Sequence, residues 1–318
     1  MDVRANDTGN SADITASDPM QTIGFIGLGA MGLPMAKNLL ARGFTVRGFD
    51  RMPIATEALA AAGGIPAVSV SEACTDAAFV LLMVVNARQA EEILFADGGL
   101  AALPENGIVV LMSTCPPSSV ESMAARVLQA KRRFVDAPVS GGVVGAEAAT
   151  LTIMAAAPRE TLDEVSSVLA ALGDKVVHIG DRPGQGAMVK AVNQLLCGVH
   201  LAVAAEAFSL ASKVGVNLEV MLGILAGSSA SSWMLKDRGR RMLEAEPHVT
   251  SAIDIFVKDL GIVLEAGRDS KVALPFAALA QQLFLSVSGS GDGAADDSQV
   301  IRAYRALNGA TKGIQEQR

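Results

Sequence analysis

Short apolar runs alternate with amphipathic helical segments along the first half of this chain. Runs that are apolar throughout are typical of strands buried on both faces of a mainly parallel sheet. The intervening helices would cover the two faces, which predicts an α/β domain. The predicted strands are 22–27, 45–50, 79–85, 107–112, 133–138, 151–156 and 175–180, and the predicted helices between them are 33–42, 53–62, 87–95, 117–130 and 158–172.

The pattern changes at the segment RPGQG, residues 182–186, beyond which we find no strand pattern. A chain of 318 residues is long enough for two domains. We therefore expect a polar, disordered tail at 1–20, an α/β domain at 21–183 and an all-helical domain at 184–318, joined by a long interdomain helix. The predicted helices of the second domain are 185–213, 217–227, 231–243, 251–269, 275–287 and 296–307.

A glycine-rich loop connects the first predicted strand to the first predicted helix. Gly27, Gly29 and Gly32 follow the spacing GxGxxG, which suits a tight turn, close approach of a pyrophosphate and close helix–strand packing. The N-terminus of the helix adds backbone N–H groups that favour phosphate. This arrangement predicts a Rossmann-like domain that binds a nicotinamide dinucleotide. The residues assigned to the cofactor here are Gly27, Leu28, Gly29, Ala30, Met31 and Gly32.

The end of the second predicted strand bears on the choice between NAD and NADP. Asp50 ends that strand, where an acidic side chain accepts hydrogen bonds from the ribose hydroxyls and repels a 2′-phosphate. This favours NAD. Arg51 follows directly and would suit the phosphate of NADP, so NADP remains an alternative, as does a solvated Arg51 without a ligand.

Two later loops lie at predicted carboxyl ends of strands, where ligands of such sheets bind. Thr114 would hydrogen-bond the nicotinamide ribose, or else cap the helix that begins near Pro117. Ser140, Gly141 and Gly142 offer a hydroxyl and backbone N–H groups, which suit a substrate carboxylate. An ordinary turn is the alternative for this second loop.

Lys190 interrupts the apolar start of the long helix predicted at 185–213. A buried ammonium is costly unless it is paired or functional. Helical spacing places Gly186, Asn193, Gln194 and Cys197 on the same stripe. A lysine whose pKa is lowered by apolar surroundings could take the proton of a hydroxyl group while hydride leaves the same carbon. A structural lysine between the domains is the alternative.

Charge and cysteine content limit the possible partners and compartment. The net charge is −7, and no basic block interleaved with aromatic residues indicates nucleic-acid binding. The three cysteines are widely spaced, form no metal motif and favour a reducing cytoplasm. The most apolar stretch, 195–211, contains His200 and Glu206, so we expect a buried helix rather than a membrane span.

Four ordered motifs resemble the β-hydroxyacid dehydrogenase family, which includes 3-hydroxyisobutyrate dehydrogenase and tartronate semialdehyde reductase. They are IGFIGLGAMGLPMAKNL, DAPVSGG, GQGAMVKAVNQ and FVKDLGIVLEA. The resemblance implies reversible, nicotinamide-dependent oxidation of a small hydroxy acid by a homodimer or homotetramer that assembles through the helical domain. It implies Lys190 as the catalytic residue, with no metal. It further implies substrate contacts from Ser140, Gly141, Gly142 and Asn193 or Gln194, and cofactor contacts from the glycine loop, Asp50, Thr114 and Lys258.

Longer stretches are similar to the branch of this family that acts on four-carbon sugar acids. They are VNQLLCGVHLAVAAEAFSLA, SSWMLKDR and SAIDIFVKDLGIV. The branch resemblance implies NAD-dependent oxidation of the C2 hydroxyl of L-threonate to 2-oxotetronate. Activity on 3-hydroxyisobutyrate or on tartronate semialdehyde is the alternative. A cofactor-binding protein without catalysis is a third hypothesis, which the presence of Lys190 disfavours.

A four-carbon polyol acid needs partners for its remaining hydroxyls. The candidates are Asn193, Gln194, His200 and Ser232. His200 lies off the Lys190 stripe, so we expect it in the core instead. Trp233 is expected either to line the pocket or to belong to the core or an interface. Lys258 and Asp259 interrupt another apolar helix and predict either an interdomain ion pair or a lysine that reaches the nicotinamide.

Overall fold

The computed structural model describes residues 21–309. The tail predicted at 1–20 and the last residues of the predicted second domain, 310–318, lie outside the described residues. The described chain begins with a sheet and ends in helices. The strands are β1 (Thr22–Ile26), β2 (Thr45–Phe49), β3 (Ile65–Pro66), β4 (Phe79–Leu82), β5 (Ile108–Leu111), β6 (Arg133–Asp136), β7 (Val139–Ser140), β8 (Thr152–Ala156) and β9 (Lys175–Gly180).

The strands form one sheet in the order β3-β2-β1-β4-β5-β6-β8-β7, with β9 paired to β8. The first six are parallel neighbours, and only the pairs of β8 with β6 and with β7 are antiparallel. The predicted, mainly parallel sheet is therefore confirmed. Strands β3 and β7 were not predicted, because two residues are too few to display a hydrophobic pattern.

Helices cover both faces of the sheet and then continue alone. Predicted segment 158–172 divides at Val165 into two helices, and three short helices escaped prediction because fewer than eight residues show no clear period. The helices are α1 (Gly32–Ala41), α2 (Pro53–Ala61), α3 (Val70–Cys74), α4 (Ala87–Glu91), α5 (Gly99–Ala102), α6 (Pro117–Gln129), α7 (Gly142–Ala148), α8 (Arg159–Glu164), α9 (Ser166–Ala170), α10 (Gln185–Lys213), α11 (Leu218–Ala226), α12 (Trp233–Leu243), α13 (Ile253–Asp269), α14 (Pro275–Val287) and α15 (Ile301–Asn308).

Shorter helical turns extend some of these elements. A π-helical turn at Glu92–Ala96 prolongs α4, and another at Ser288–Asp292 follows α14. The predicted helix 296–307 begins as a 3₁₀ turn at Asp297–Val300 before it becomes α15. That turn carries the buried acidic side chain of Asp297 into the helical layer.

Helix α10 connects the sheet to the helical layer and forms the axis of that layer. Its side chains Leu201 and Phe208 pack in one apolar core with Leu260 of α13 and Phe284 of α14. Among the described residues α10 is the one helix long and apolar enough to cross a membrane, a test that buried core helices also pass. Its packing against α12, α13, α14 and α15 accounts for its apolar character.

The carboxylate of Asp136, at the end of β6, caps the N-terminus of α10. Its Oδ2 accepts hydrogen bonds from the backbone N–H groups of Gly184, at 2.8 Å, and Ala187, at 2.9 Å. A Cβ on Gly186 would lie 2.5 Å from the backbone oxygen of Met154, so only glycine fits this approach of helix to sheet. The first turns of α10, including Lys190, are therefore fixed at the sheet.

Candidate active site

A cavity of about 470 Å³ lies between the carboxyl edge of the sheet and the helical layer. The glycine loop, the loops after β4, β5 and β7, and helices α10, α12 and α13 all contribute to its wall. Several predicted residues from distant parts of the sequence meet there. The predicted site residues in the wall are Gly29, Ala30, Met31, Gly32, Thr114, Ser140, Gly141, Gly142, Lys190, Gln194 and Lys258.

The glycine loop has the shape that a dinucleotide phosphate requires. Gly27 has a φ of +94°, and a Cβ there would lie 2.3 Å from the backbone oxygen of Met83. A Cβ on Gly32 would lie 1.8 Å from the backbone oxygen of Gly27, whereas one on Gly29 would meet nothing within 4 Å. The first and third glycines thus allow close packing, and the second leaves open space at the cavity. The glycine loop therefore has room for a bound pyrophosphate.

Asp50 and Arg51 lie outside the cavity wall. The Asp50 carboxylate accepts hydrogen bonds from the backbone N–H groups of Leu28, at 2.7 Å, and Met52, at 2.8 Å. It is therefore fixed beside the glycine loop, with further acceptor capacity on the same oxygens. The exposed Arg51 forms an ion pair with Glu92 at 3.2 Å. Leu28 also lies outside the wall, and its side chain is buried in the core.

Thr114 is part of the cavity wall and does not cap the helix that follows it. Helix α6 begins after Pro116 without a side-chain cap, so the capping alternative is wrong. The neighbouring Ser113 hydroxyl instead accepts a hydrogen bond from the backbone N–H of Val84 at 2.8 Å. This contact joins the loops after β4 and β5, which leaves the Thr114 side chain available at the cavity.

Ser140, Gly141 and Gly142 form the opposite wall, between β7 and α7. Gly141 and Gly142 have φ angles of +135° and +63°, in the region that favours glycine. A Cβ on Gly142 would meet nothing within 4 Å, so the space beside its backbone is open. The loop follows β7, a strand of two residues that is too short to predict from sequence. Its backbone faces the cavity.

Lys190 is 7 % exposed, and its Nζ donates a hydrogen bond to Oε1 of Gln194 at 2.9 Å. Burial lowers the pKa of the Lys190 ammonium from its usual range, and the Asp259 carboxylate opposes this shift. Gln194, not Asn193, faces the cavity. The Asn193 amide lies behind it and donates to Oε1 of Gln194 at 2.9 Å and to Sγ of Cys197 at 3.5 Å.

Asp259 connects Gln194 to Lys258 in a buried polar network. The Gln194 amide donates to Oδ2 of Asp259 at 2.5 Å, and the Nζ of Lys258 lies 2.7 Å from Oδ1. No donor among the described residues is aligned for a hydrogen bond to that Oδ1. Lys258 also donates to the backbone oxygen of Thr114 at 3.2 Å. Lys258 therefore pairs with Asp259 and contacts the loop after β5 at the same time.

Two other sequence predictions require correction. His200 is exposed and lies outside both the core and the cavity wall, because it points away from the helices that α10 packs against. Ser232 caps α12 by accepting from the backbone N–H of Leu235 at 3.0 Å, and it is not in the wall. Gly186, on the Lys190 stripe, packs against the sheet. Trp233 does line the cavity and is largely exposed.

Sequence reasoning missed part of the wall. Met83, Val84 and Val85 belong to a predicted strand, but β4 ends at Leu82 and they turn into the cavity. Arg238 and Asp297 also face it, although they lie far apart in the sequence and no local pattern joins them. Within residues 21–309 no group of three or more His, Cys, Asp and Glu side chains could hold a metal ion.

Comparison with known families agrees with this geometry. The family model for the NAD binding domain of 6-phosphogluconate dehydrogenase matches residues 22–180. The model for the NAD-binding domain of NADP-dependent 3-hydroxyisobutyrate dehydrogenase matches residues 184–304. The chain belongs to the β-hydroxyacid dehydrogenase family, of the 3-hydroxyisobutyrate dehydrogenase type.

Relatives in this family match almost the whole chain. L-threonate dehydrogenase of Cupriavidus necator is 41 % identical over 288 residues, which are 90 % of this chain and 97 % of that protein. The 2-(hydroxymethyl)glutarate dehydrogenase of Eubacterium barkeri is 38 % identical over 91 % of this chain and 96 % of its own. The crystal structure of 3-hydroxyisobutyrate dehydrogenase from Salmonella typhimurium is 35 % identical, has a TM-score of 0.84 and covers 89 % of this chain and 99 % of its own.

Membership of the β-hydroxyacid dehydrogenase family makes this chain an oxidoreductase with a nicotinamide cofactor. The open space at Gly29 and the buried lysine on the other side of the cavity agree with that activity. The description of one matching family names NAD, and that of the other names an NADP-dependent enzyme. Family membership alone therefore does not distinguish NAD from NADP as the cofactor.

Proposed function

We propose that this β-hydroxyacid dehydrogenase oxidises the C2 hydroxyl of L-threonate to 2-oxotetronate with NAD, and that Lys190 handles the proton. The observation that carries the proposal is the buried lysine Lys190, which lies in a cavity wall shared with the glycine loop and with Ser140–Gly142. A small hydroxy acid held between these groups would have its reacting carbon beside both the lysine and the nicotinamide.

The chemistry assigned to Lys190 follows from its surroundings. Oxidation takes a hydride from C2 and a proton from the attached hydroxyl, and the bound nicotinamide supplies the hydride acceptor. Neutral Lys190 accepts the proton, and the lowered pKa of Lys190 increases the fraction of enzyme in which this lysine is neutral. The resulting ammonium donates to Gln194 Oε1, already 2.9 Å away. In the reverse direction the ammonium protonates the developing alkoxide.

The proposed substrate contacts divide between two walls. Ser140, Gly141 and Gly142 bind the carboxylate through the hydroxyl and the open backbone beside Gly142. Gln194 holds the C2 oxygen together with Lys190, and Asn193 positions the Gln194 amide. Relatives named L-threonate dehydrogenase support the four-carbon acid as substrate. Those named 2-(hydroxymethyl)glutarate dehydrogenase and 2-hydroxy-3-oxopropionate reductase make other hydroxy acids the alternative.

The preference for NAD is proposed from the end of β2. The Asp50 carboxylate, fixed by Leu28 and Met52, would accept from the adenosine ribose and repel a 2′-phosphate. The Arg51 guanidinium is paired with the Glu92 carboxylate. This carboxylate would also repel the 2′-phosphate of NADP. Thr114 and Lys258 are proposed to contact the nicotinamide half, since both face the cavity.

We also propose that the protein forms a homo-oligomer and is located in the cytoplasm. Several apolar side chains of α10 are exposed in the single chain, as expected of a helix that a second copy covers. Cys74, Cys115 and Cys197 are all free thiols in the described chain, which supports a reducing compartment.

Initial rates of nicotinamide reduction test the proposal. The substrates are L-threonate, D-erythronate, 3-hydroxyisobutyrate, D-glycerate and 2-(hydroxymethyl)glutarate, each with NAD and with NADP. The expected result is the highest kcat/KM with L-threonate and NAD, and a loss of about 100-fold or more in kcat for Lys190→Ala with NAD binding retained. A higher kcat/KM with another acid would contradict the substrate. An active Lys190→Ala variant would contradict the mechanism.

A further inference from the structure

The cavity wall contains a buried ion pair that the proposed chemistry does not use. Arg238 of α12 and Asp297 of the 3₁₀ turn are 8 % and 0 % exposed, and both face the cavity. The Nε of Arg238 donates to Oδ1 of Asp297 at 2.7 Å, and Nη2 donates to Oδ2 at 3.3 Å. The backbone N–H of Asp297 is itself fixed by the oxygen of Ser251 at 2.7 Å. The guanidinium is therefore held in one orientation.

Cys197 of α10 lines the same cavity as this pair and Lys190. Burial raises the pKa of the Cys197 thiol, and the positive charges of Lys190 and Arg238 both lower it. Seven residues of α-helix separate Lys190 from Cys197, or about 10 Å along the axis. Arg238, on α12, therefore faces the same cavity as Lys190 but from a different helix.

The Arg238 guanidinium has donors left for a ligand. It carries five N–H groups. Two of them are used by Asp297 and one by Asp237, which contacts Nη1. The remaining two have no partner within residues 21–309. A substrate whose carboxylate lies at Ser140–Gly142 and whose C2 lies at Lys190 would extend its other carbons toward these donors.

The charge around Arg238 distinguishes a hydroxyl from a carboxylate. Arg241 pairs with Asp237 at 2.9 Å and with Asp296 at 2.9 Å. Three carboxylates (Asp237, Asp296 and Asp297) therefore surround two guanidinium groups, which leaves one net negative charge. Burial raises the pKa of Asp297 to about 6 against the effect of Arg238, so this carboxylate is ionised at neutral pH. Such a cluster favours a neutral hydroxyl and repels a second carboxylate.

We propose that Arg238, oriented by Asp297, is a specificity-determining residue that donates hydrogen bonds to the hydroxyl-bearing end of the substrate, and that its acidic neighbours exclude dicarboxylic hydroxy acids. This inference rests on the proposed function, because it takes the reacting carbon to lie at Lys190. Lys190 and the loop Ser140–Gly142 would serve any small hydroxy acid. Arg238 would add the selection for an acid with further hydroxyl groups.

Arg238→Lys tests the inference, since lysine keeps the charge but loses the two-pronged geometry. The kcat/KM values are measured with L-threonate and with 2,3-dihydroxybutanoate of the same stereochemistry, which lacks only the terminal hydroxyl. Arg302→Lys is the matched control, because Arg302 also pairs with two carboxylates, Asp292 at 2.9 Å and Glu246 at 3.0 Å, outside the cavity. Thermal unfolding of each variant checks the fold.

We expect Arg238→Lys to lower kcat/KM at least about 10-fold with L-threonate and less than about threefold with the deoxy acid. The control should leave the ratio of the two values unchanged. Equal losses on both acids would overturn the inference and assign Arg238 a structural role. A wild-type enzyme that prefers an acid without the tail hydroxyls would instead contradict the proposed function.

Asp297→Asn provides a second variant, which also applies if Arg238→Lys does not fold. Its amide oxygen still accepts from Arg238 while one negative charge is removed. The expected result is an increase of at least about fivefold in kcat/KM with 2-(hydroxymethyl)glutarate relative to L-threonate. An unchanged or lower ratio would overturn the exclusion of dicarboxylic acids.

Discussion

The Nζ of Lys190 and the carboxylate of Asp259 are joined through one amide, that of Gln194. The lysine donates to Oε1 at 2.9 Å, and the same amide donates to Asp259 at 2.5 Å. Lys258, next to Asp259 on α13, lies 2.7 Å from the other carboxylate oxygen. The charge state of the proposed catalytic lysine therefore depends on two charges carried by a helix 65 residues away from Gln194.

Asp259→Asn is expected to shift the pH profile of oxidation to lower pH. Oxidation needs neutral Lys190, so the rate rises as the lysine loses its proton. Burial lowers the pKa of Lys190 and the Asp259 carboxylate raises it, so removing that carboxylate lowers the pKa further. The measurement is kcat against pH at saturating substrate and NAD.

Lys258→Gln is the opposing variant of the same network. The positive charge of Lys258 lowers the pKa of Lys190, so its removal should move the same limb of the profile to higher pH. Shifts of both variants in one direction would mean that the limb does not report Lys190. Saturating NAD separates this effect from weaker cofactor binding.

Gly29→Ala and Gly32→Ala should separate cofactor binding from folding. A Cβ on Gly29 meets nothing within 4 Å, so we expect an unchanged Tm and a Kd for NAD raised about 10-fold or more. A Cβ on Gly32 would lie 1.8 Å from the Gly27 oxygen, so this variant should unfold at clearly lower temperature. Calorimetry measures the Tm of both variants, and NAD titration measures their Kd for NAD. Normal NAD affinity in Gly29→Ala would mean that the pyrophosphate does not approach there.

The parts of the site that the sequence predicted are those carried by local spacing. The glycine loop and the Lys190–Gln194 stripe each lie within one turn or one helix, so their geometry follows from helix and loop periodicity. The contacts of Asp259 with Gln194 and of Arg238 with Asp297 span 65 and 59 residues. No periodicity relates such positions, because their approach depends on how α10, α12 and α13 pack.

The same limit explains the errors on single side chains. Helical spacing placed His200 off the lysine stripe, but the side of α10 that faces solvent depends on which helices cover it. Thr114 could be assigned to a cap from sequence because Pro117 begins a helix three residues later. The main elements of the fold were predictable because long apolar runs and amphipathic helices carry their signal locally.

Asp136→Asn should change how stability depends on pH. Burial raises the pKa of Asp136 to about 6, although hydrogen bonds from Ala187, Gly184 and Gly186 lower it. The folded state therefore binds a proton between about pH 6 and 4 that the unfolded state has lost. Asp136 thus adds stability as the pH falls through this range, on the order of 3 kcal/mol. The contribution is lost as the pH rises through the folded pKa.

Chemical denaturation at pH 7 and pH 4.5 measures this contribution. The free energy of unfolding of the wild type, relative to Asp136→Asn, should be larger at pH 4.5 than at pH 7, because only the wild type gains from protonation of the helix cap. Both proteins keep every other titrating group, which cancels from the comparison. A relative stability that falls toward low pH would show that the ionised carboxylate is the favoured form of the cap.

Leu210→Glu should dissociate the proposed oligomer. Val192, Leu196, Val203 and Leu210 are exposed and lie on one face of α10 at helical spacing, so a second copy would bury them together. Ile54→Glu is the matched control, because Ile54 of α2 is 72 % exposed against 69 % for Leu210 but belongs to the sheet half of the chain. By light scattering at micromolar concentration, we expect monomers for Leu210→Glu alone. A monomeric wild type would refute the oligomer, and dissociation by Ile54→Glu would place its interface elsewhere.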